Sequence, residues 1–284
     1  MKASPSFEEL QRPLPPASPR RLLYAGIRLF LRTIGNLSDG IRIGNTYGFD
    51  SGVMLDYVYK NRASGRLGIG RVFDRVYLDS VGWRGIRARR ELVAEVLGKV
   101  LAEQLAKRRK VRFLDVACGG GEYDLAALAG FPSDAIEAEL RDYKPENIEA
   151  ARANAARRGL TRVRFRQADA FDAANYTESW DVVVVSGLWE IIPDDVLVRG
   201  GLQHAARALS TGGALLFTVQ PDHPQLELIA RTLTSNTGKP WIMRVRSLAL
   251  FESWLAEAGL ASVLHRMEAN GIFGVVVAVK PDAA

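Results

Sequence analysis

The sequence predicts an α/β protein: a mostly parallel seven-stranded sheet, doubly wound, with an antiparallel C-terminal hairpin and a helical N-terminal extension. Three observations predict it. From residue 111 onward, short β-branched runs alternate with helical stretches, the pattern of a parallel sheet covered on both faces. The run WDVVVVS at 180–186 is apolar almost throughout, as a strand buried on both faces must be. The last two strand-like runs flank Asn270-Gly271, a hairpin signal.

The elements follow in order. Residues 1–19 hold Pro13, Pro15, Pro16 and Pro19 beside Ser4, Ser6 and Ser18, and are expected to be a disordered tail. Residues 20–110 form the helical extension, with one helix at 20–34 and a second at 86–109. The second has Leu92, Val93, Val96, Leu97, Val100, Leu101 and Leu105 at helical spacing. Residues 111–284 form the sheet domain. Its strands are expected at 111–116, 135–141, 162–167, 180–186, 214–219, 260–267 and 272–279. Helices fill 122–129, 145–158, 194–209 and 247–258; Pro145 suits a first helical turn, and Gly159 and Gly259 suit helix ends.

Composition narrows the function. Of 284 residues, 48% are hydrophobic and 25% charged, which excludes a disordered chain. A single cysteine, Cys118, excludes a disulfide framework and a cysteine-based metal site, no other metal site is expected, and a reducing, cytoplasmic setting follows. No apolar run reaches the ~18 residues of a membrane span. Residues 1–112 carry 22 Lys and Arg against 10 Asp and Glu, while 113–284 carry 16 against 22. The basic N-terminal part points to an anionic partner. The segment from Arg20 to Ile34 sets Arg21, Arg28 and Arg32 opposite Leu23, Ile27, Phe30, Leu31 and Ile34. Such a helix either contacts a membrane peripherally or packs its apolar side on the sheet domain.

The first strand carries Asp115 and runs into Ala117-Cys118-Gly119-Gly120-Gly121. Three glycines let a ligand lie directly on the backbone. The nicotinamide fingerprint G-x-G-x-x-G fails at Asp124, and the Gly-Lys-Ser/Thr of a P-loop is absent. Asp115-x-Ala117-x-Gly119-x-Gly121 resembles motif I of the class I S-adenosylmethionine (SAM) dependent methyltransferases, which have a Rossmann-like sheet. The resemblance implies that Asp115 holds the methionine end of SAM. It also implies a ribose-binding acid after the second strand. Asp142, 21 residues beyond Gly121, fits, with Glu139 as its rival. Asp169-Ala170 would face adenine, Ser186-Gly187 would close the site, and Tyr143 and Asn147 join the cofactor-binding set.

A narrower resemblance rests on Gly48-Phe49-Asp50-Ser51-Gly52, Leu55-Asp56-Tyr57-Val58-Tyr59, Gly82-Trp83-Arg84-Gly85, Arg141-Asp142-Tyr143, Ser186-Gly187-Leu188 and His223-Pro224-Gln225-Leu226-Glu227. These are similar to a bacterial methyltransferase group that also occurs fused to lysophospholipase-like α/β hydrolases. It implies methyl transfer from SAM to an O or N nucleophile of a small-molecule or lipid-type acceptor, releasing S-adenosylhomocysteine (SAH). A silent SAM-binding partner of a lipid enzyme and an RNA methyltransferase are the alternatives, and a homodimer is among the expected assemblies. Nucleic acid is not an expected partner, because Ser186-Gly187-Leu188-Trp189 stands where nucleic-acid amino-methyltransferases carry Asp/Asn-Pro-Pro-aromatic.

A base is needed only if the acceptor loses a proton during transfer. Glu190 and His223 follow the fourth and fifth strands, at the ligand-binding edge of such a sheet, and Tyr57 is a third catalytic candidate. Tyr47, Asp50, Trp189, Arg244 and Arg246 are the candidates for acceptor contact.

Overall fold

The computed structural model describes residues 4–282. They run as α1 (Phe7–Gln11), α2 (Pro19–Arg32), α3 (Asp39–Tyr47), α4 (Gly52–Lys60), α5 (Ile69–Leu78), α6 (Val81–Lys107), β1 (Val111–Asp115), α7 (Glu122–Leu128), β2 (Ile136–Asp142), α8 (Pro145–Arg157), β3 (Val163–Gln167), β4 (Trp180–Val185), α9 (Asp195–Ala208), β5 (Leu209–Val219), α10 (Leu226–Thr232), α11 (Leu248–Glu257), β6 (Ala261–Met267) and β7 (Gly274–Val279). Two compact units result: residues 4–87 with Asp222–Val245, and Ala88–Pro221 with residues 246–282. The expected boundary at 110/111 therefore moves to 87/88, because Leu92, Val93, Val96, Leu97, Val100 and Leu101 of α6 are buried in the core of the sheet unit.

In the sheet unit the strand order is β3-β2-β1-β4-β5-β7-β6. The first five strands pair in parallel, and β7 joins β5 and β6 antiparallel. The pleat sends alternate side chains to two cores. Val111, Phe113, Val182 and Val184 pack with α6, α7 and α8. Leu114, Val116, Val183 and Val185 pack with α9 and α11. The order reverses between β1 and β4, so their following loops leave on opposite faces and open a crevice at the carboxyl rim.

The hairpin is wider than expected. Residues 268–273 join β6 to β7, because Glu268 organises a larger loop: its carboxylate accepts from the Asn270, Ile272 and Phe273 N–H groups at 2.6, 2.8 and 3.2 Å.

The other unit is helical. Its first residues correct the disordered tail expected over 1–19; residues 1–3 lie outside the described range. Ser6 and Glu9 form a reciprocal cap that starts α1, and Leu10 is buried against Leu226, Ile229, Ala230 and Met243. A second cluster joins Met54, Val58, Leu78 and Trp83, with Trp83 stacked on Trp241 at 6.2 Å. Fully buried Asp74 accepts from the Ser38 hydroxyl at 2.6 Å, from the Gly40 and Ser64 N–H groups at 2.8 and 2.9 Å, and from the Tyr57 hydroxyl.

Candidate functional site

At the carboxyl rim the loops after β1, β2 and β3 are stitched together. Cys118 N–H donates to the Arg141 carbonyl at 2.8 Å, and Ala168 N–H to the Asp142 carbonyl at 3.0 Å. Gly119 N–H donates to Asp142 Oδ2 at 2.9 Å. The other oxygen of Asp142 accepts from Lys144 N–H and Asn147 Nδ2, both at 2.9 Å. Gln167 Nε2 donates to the Tyr143 carbonyl at 3.0 Å, and the Tyr143 ring is exposed. The structure thus brings Asp115, Ala117, Gly119, Gly121, Asp142, Tyr143 and Asn147 together. Glu139, the rival acid, is paired with Arg141 at 2.5 Å and Arg164 at 3.1 Å.

Two glycines shape the turn. Gly119 has φ +54°, and a Cβ there would meet nothing within 4 Å, so the backbone borders open space. Gly121 has φ +68°, and a Cβ there would lie 3.1 Å from Leu140 and 3.3 Å from Leu125. It starts α7 where a side chain would be strained and crowded.

Fully buried Asp115 accepts from Ala117 N–H at 2.8 Å and from the Tyr123 hydroxyl at 2.9 Å. Burial is the main cause that pushes its carboxyl up to about 7. Asp124, equally buried, is held well above the ordinary carboxylate range by burial and by the charge of Asp115. Neither Asp124 oxygen accepts a hydrogen bond from a donor among the described residues. Asp124 is therefore the neutral member of the pair and Asp115 the one that ionises. Sequence reasoning missed this pair and Tyr123, although Asp124 sits where the dinucleotide fingerprint wants its third glycine.

These groups test which ligand fits. Burial first, and then neighbouring carboxylates including Asp115 and Asp142, raise the Cys118 thiol in the turn. Such a rim would repel a pyrophosphate and suits a cationic sulfonium. Asp142 Oδ2, with one donor on it, keeps acceptor capacity for a hydroxyl. The residues present fit SAM.

After β3, exposed Asp169 accepts from Phe171 N–H at 2.8 Å, and the Ala170 carbonyl accepts from the Tyr176 hydroxyl at 2.7 Å. After β4, Ser186 is buried, and Gly187 N–H donates to Thr218 Oγ1 at 2.8 Å. Glu190 is enclosed 3.5 Å from the Arg89 guanidinium. Burial raises its carboxyl, with Arg89 and Thr218 opposing the rise. Arg89 also lies over the Phe273 ring at 4.8 Å, and a Cβ on Gly187 would meet it at 3.2 Å. Arg89 carried no recognisable sequence signal.

Trp189, Arg246 and Tyr57 are corrected as acceptor-contacting or catalytic candidates, because each is engaged within the protein. Trp189 belongs to the core, with its ring centroid 5.1 Å from Phe217 and 5.8 Å from Phe251. Arg246 spends its guanidinium on Asp195 at 2.8 Å and on the Trp189 and Ile192 carbonyls at 2.6 and 2.7 Å. Tyr57, Tyr47, Asp50, His223 and Arg244 lie in the helical unit. Tyr57 gives its hydroxyl to Asp74, and burial raises its pKa, so it suits a structural role rather than a catalytic one. Tyr57→Phe should cost about 1 kcal/mol of stability in denaturant unfolding and leave SAM affinity unchanged. His223 accepts Gln225 N–H on Nδ1 at 3.0 Å, and burial lowers its pKa to about 4. The neutral ring therefore carries its proton on Nε2 and is a donor rather than a base. Asp50 accepts from Asn236 N–H at 2.6 Å, Tyr47 is exposed, and Arg244 lies 3.2 Å from Glu8 and over the Phe7 ring.

A family model described as "Putative methyltransferase" matches residues 2–280. The chain is 42% identical over 274 residues to "Uncharacterized protein YnbC" of Escherichia coli K12, a match covering 94% of this chain and 46% of that protein. It thus spans about half the length of that relative. It is 30% identical over 191 residues to the demethylmenaquinone methyltransferase of Clavibacter sepedonicus, covering 60% and 74% of the two chains. Among solved structures, the magnesium protoporphyrin IX methyltransferase of Synechocystis PCC 6803, determined with bound SAH, has the same fold. It superimposes with a TM-score of 0.58 at 14% identity over 84% of this chain and 97% of that one.

Proposed function

We propose that the chain, which belongs to the methyltransferase family whose model spans residues 2–280, uses SAM to methylate an oxygen or nitrogen nucleophile of a small-molecule or lipid-type acceptor, releasing SAH. The observation that carries this reading is the rim where Asp115 and Asp142 flank a turn whose Gly119 faces open space. When bound, SAM supplies a methyl group already activated by its sulfonium. This chain's residues hold and orient. Asp142, steadied by Asn147 and Gly119, takes the ribose hydroxyls. Asp115, ionised beside neutral Asp124, faces the cationic methionine end. Asp169, Ala170, Ser186 and Gly187 complete the cradle at adenine and the closing loop. Alignment of the nucleophile then supplies most of the rate. Glu190 is the acceptor's proton-accepting group where one is needed: enclosed, with a raised pKa, and on the loop after β4.

A lipid-type acceptor is supported by the relative that methylates demethylmenaquinone. It is also supported by α2, whose Leu22, Leu23, Leu29 and Phe30 are exposed, consistent with peripheral membrane contact through residues 20–34.

Incubating the chain with a lysate and methyl-labelled SAM tests the proposal. Label should enter organic-soluble material, survive nuclease, and vanish with Asp115→Ala. Label destroyed by nuclease would make this an RNA methyltransferase. No label from a chain that binds SAM would make it a silent binding partner.

A further inference from the structure

Two helices of the N-terminal unit leave apolar stripes uncovered. On α2 the stripe is Leu22, Leu23, Leu29 and Phe30, continued by Ile34. On α5 it is Ile69, Val72 and Val76, at helical spacing, with Leu67 just before them. The stripes meet where Phe30 packs edge-on against Phe73, with ring centroids 5.6 Å apart. Leu67 is 84% exposed and held at φ +57°, with Gly68 at φ +69° beside it. A leucine in the left-handed region is strained, and this one stands exposed to solvent.

Charge frames the stripes. Arg21, Arg32, Arg62 and Arg71 have no acidic partner among the described residues. Arg62, Arg71, Val72 and Val76 line a surface groove of about 730 Å³ along α5. The acids nearby are spent: Asp79 on Arg75, Asp39 on Arg42, and Asp74 in its buried hub. Unpaired arginines around exposed aliphatic side chains match an anionic headgroup layer over acyl chains.

We propose that α2 and α5 form one docking face for an anionic phospholipid bilayer, with Leu67 and the two stripes entering the acyl boundary and Arg62 and Arg71 meeting headgroup phosphates. This rests on the reading that residues 20–34 touch membrane and extends it to a second element.

Co-sedimentation of the full chain tests it, using vesicles of phosphatidylcholine alone and of equal parts phosphatidylcholine and phosphatidylglycerol. The chain should pellet with the mixed vesicles only. Leu67→Ser with Val72→Ser and Val76→Ser should weaken binding at least tenfold, and Arg62→Gln or Arg71→Gln about fivefold each. Unchanged SAM affinity and far-ultraviolet circular dichroism show that each variant is folded. If the α5 triple variant binds like the wild type while Leu22→Ser with Leu29→Ser does not, α2 docks alone and the two-helix face is wrong. If the wild type pellets with neither vesicle, the reading of 20–34 fails with it. A concentration-dependent oligomer lost in the triple variant would then assign the stripes to a second copy of the chain.

Discussion

Replacing Asp142 by alanine should weaken SAM binding by at least 100-fold, with the fold intact. The carboxylate ties the turn after β1 to the loop after β2 by accepting from Gly119, Lys144 and Asn147. Alanine removes the ribose acceptor and strands three donors at once. A hydrogen bond to a charged group contributes about 1.5–3 kcal/mol, so losing two ribose contacts alone accounts for the expected factor. Asp142→Asn keeps the shape and one acceptor oxygen, and should lose only about tenfold, roughly 1.4 kcal/mol. Titration calorimetry on both variants reads the difference. Equal affinities in the wild type and the alanine variant would remove Asp142 from the site.

A second large effect is expected from pH. Asp115 titrates at about 7 in the folded chain, against an ordinary value near 4 once unfolded. Between those values the folded chain holds the proton that the unfolded chain has released. The stability this gives is full below about pH 4, declines as pH rises to about 7, and is gone above it. A cationic ligand beside Asp115 favours the ionised form. SAM should therefore bind about tenfold more weakly for each pH unit below 7 and reach a plateau above it. Asp115→Asn should abolish the binding trend and lessen the stability trend, which buried Asp124 shares. Its SAM affinity should be flat from pH 5.5 to 8.5 and about 100-fold below the wild type at pH 8. Thermal unfolding and calorimetry across that range would show it. A wild type with pH-independent affinity would mean that Asp115 is not the group facing the ligand.

What the sequence made legible was whatever local pattern decides. β4 is readable because four successive valines in a nearly all-apolar run can hardly be anything but an inner strand, and the Gly-rich turn because glycine takes φ +54° and +68° without strain. The order of acids on successive strand ends then marked Asp115 and Asp142. The misreadings all turn on partners distant in the chain. Nothing beside Trp189 announces Phe217 and Phe251, and nothing beside Arg246 announces the carbonyls that bind it. Tyr57 reads as available because nothing beside it in the chain announces Asp74, which takes its hydroxyl. α5 escaped notice because its start is Gly68, with no capping side chain, and its sequence mixes β-branched residues with arginine. The proline-rich first residues hid a short helix whose order comes from burying Leu10 beneath α10.

The central claim is that the loops after β1, β2 and β3 form one cradle for an adenosyl sulfonium. A crystal structure of the chain grown with SAH tests it most directly. The account predicts ribose hydroxyls on Asp142, adenine beside Asp169 and Ala170, and the amino acid end next to the Gly119 turn and Asp115. SAH seated elsewhere, or a cradle left empty at saturating ligand, would contradict it.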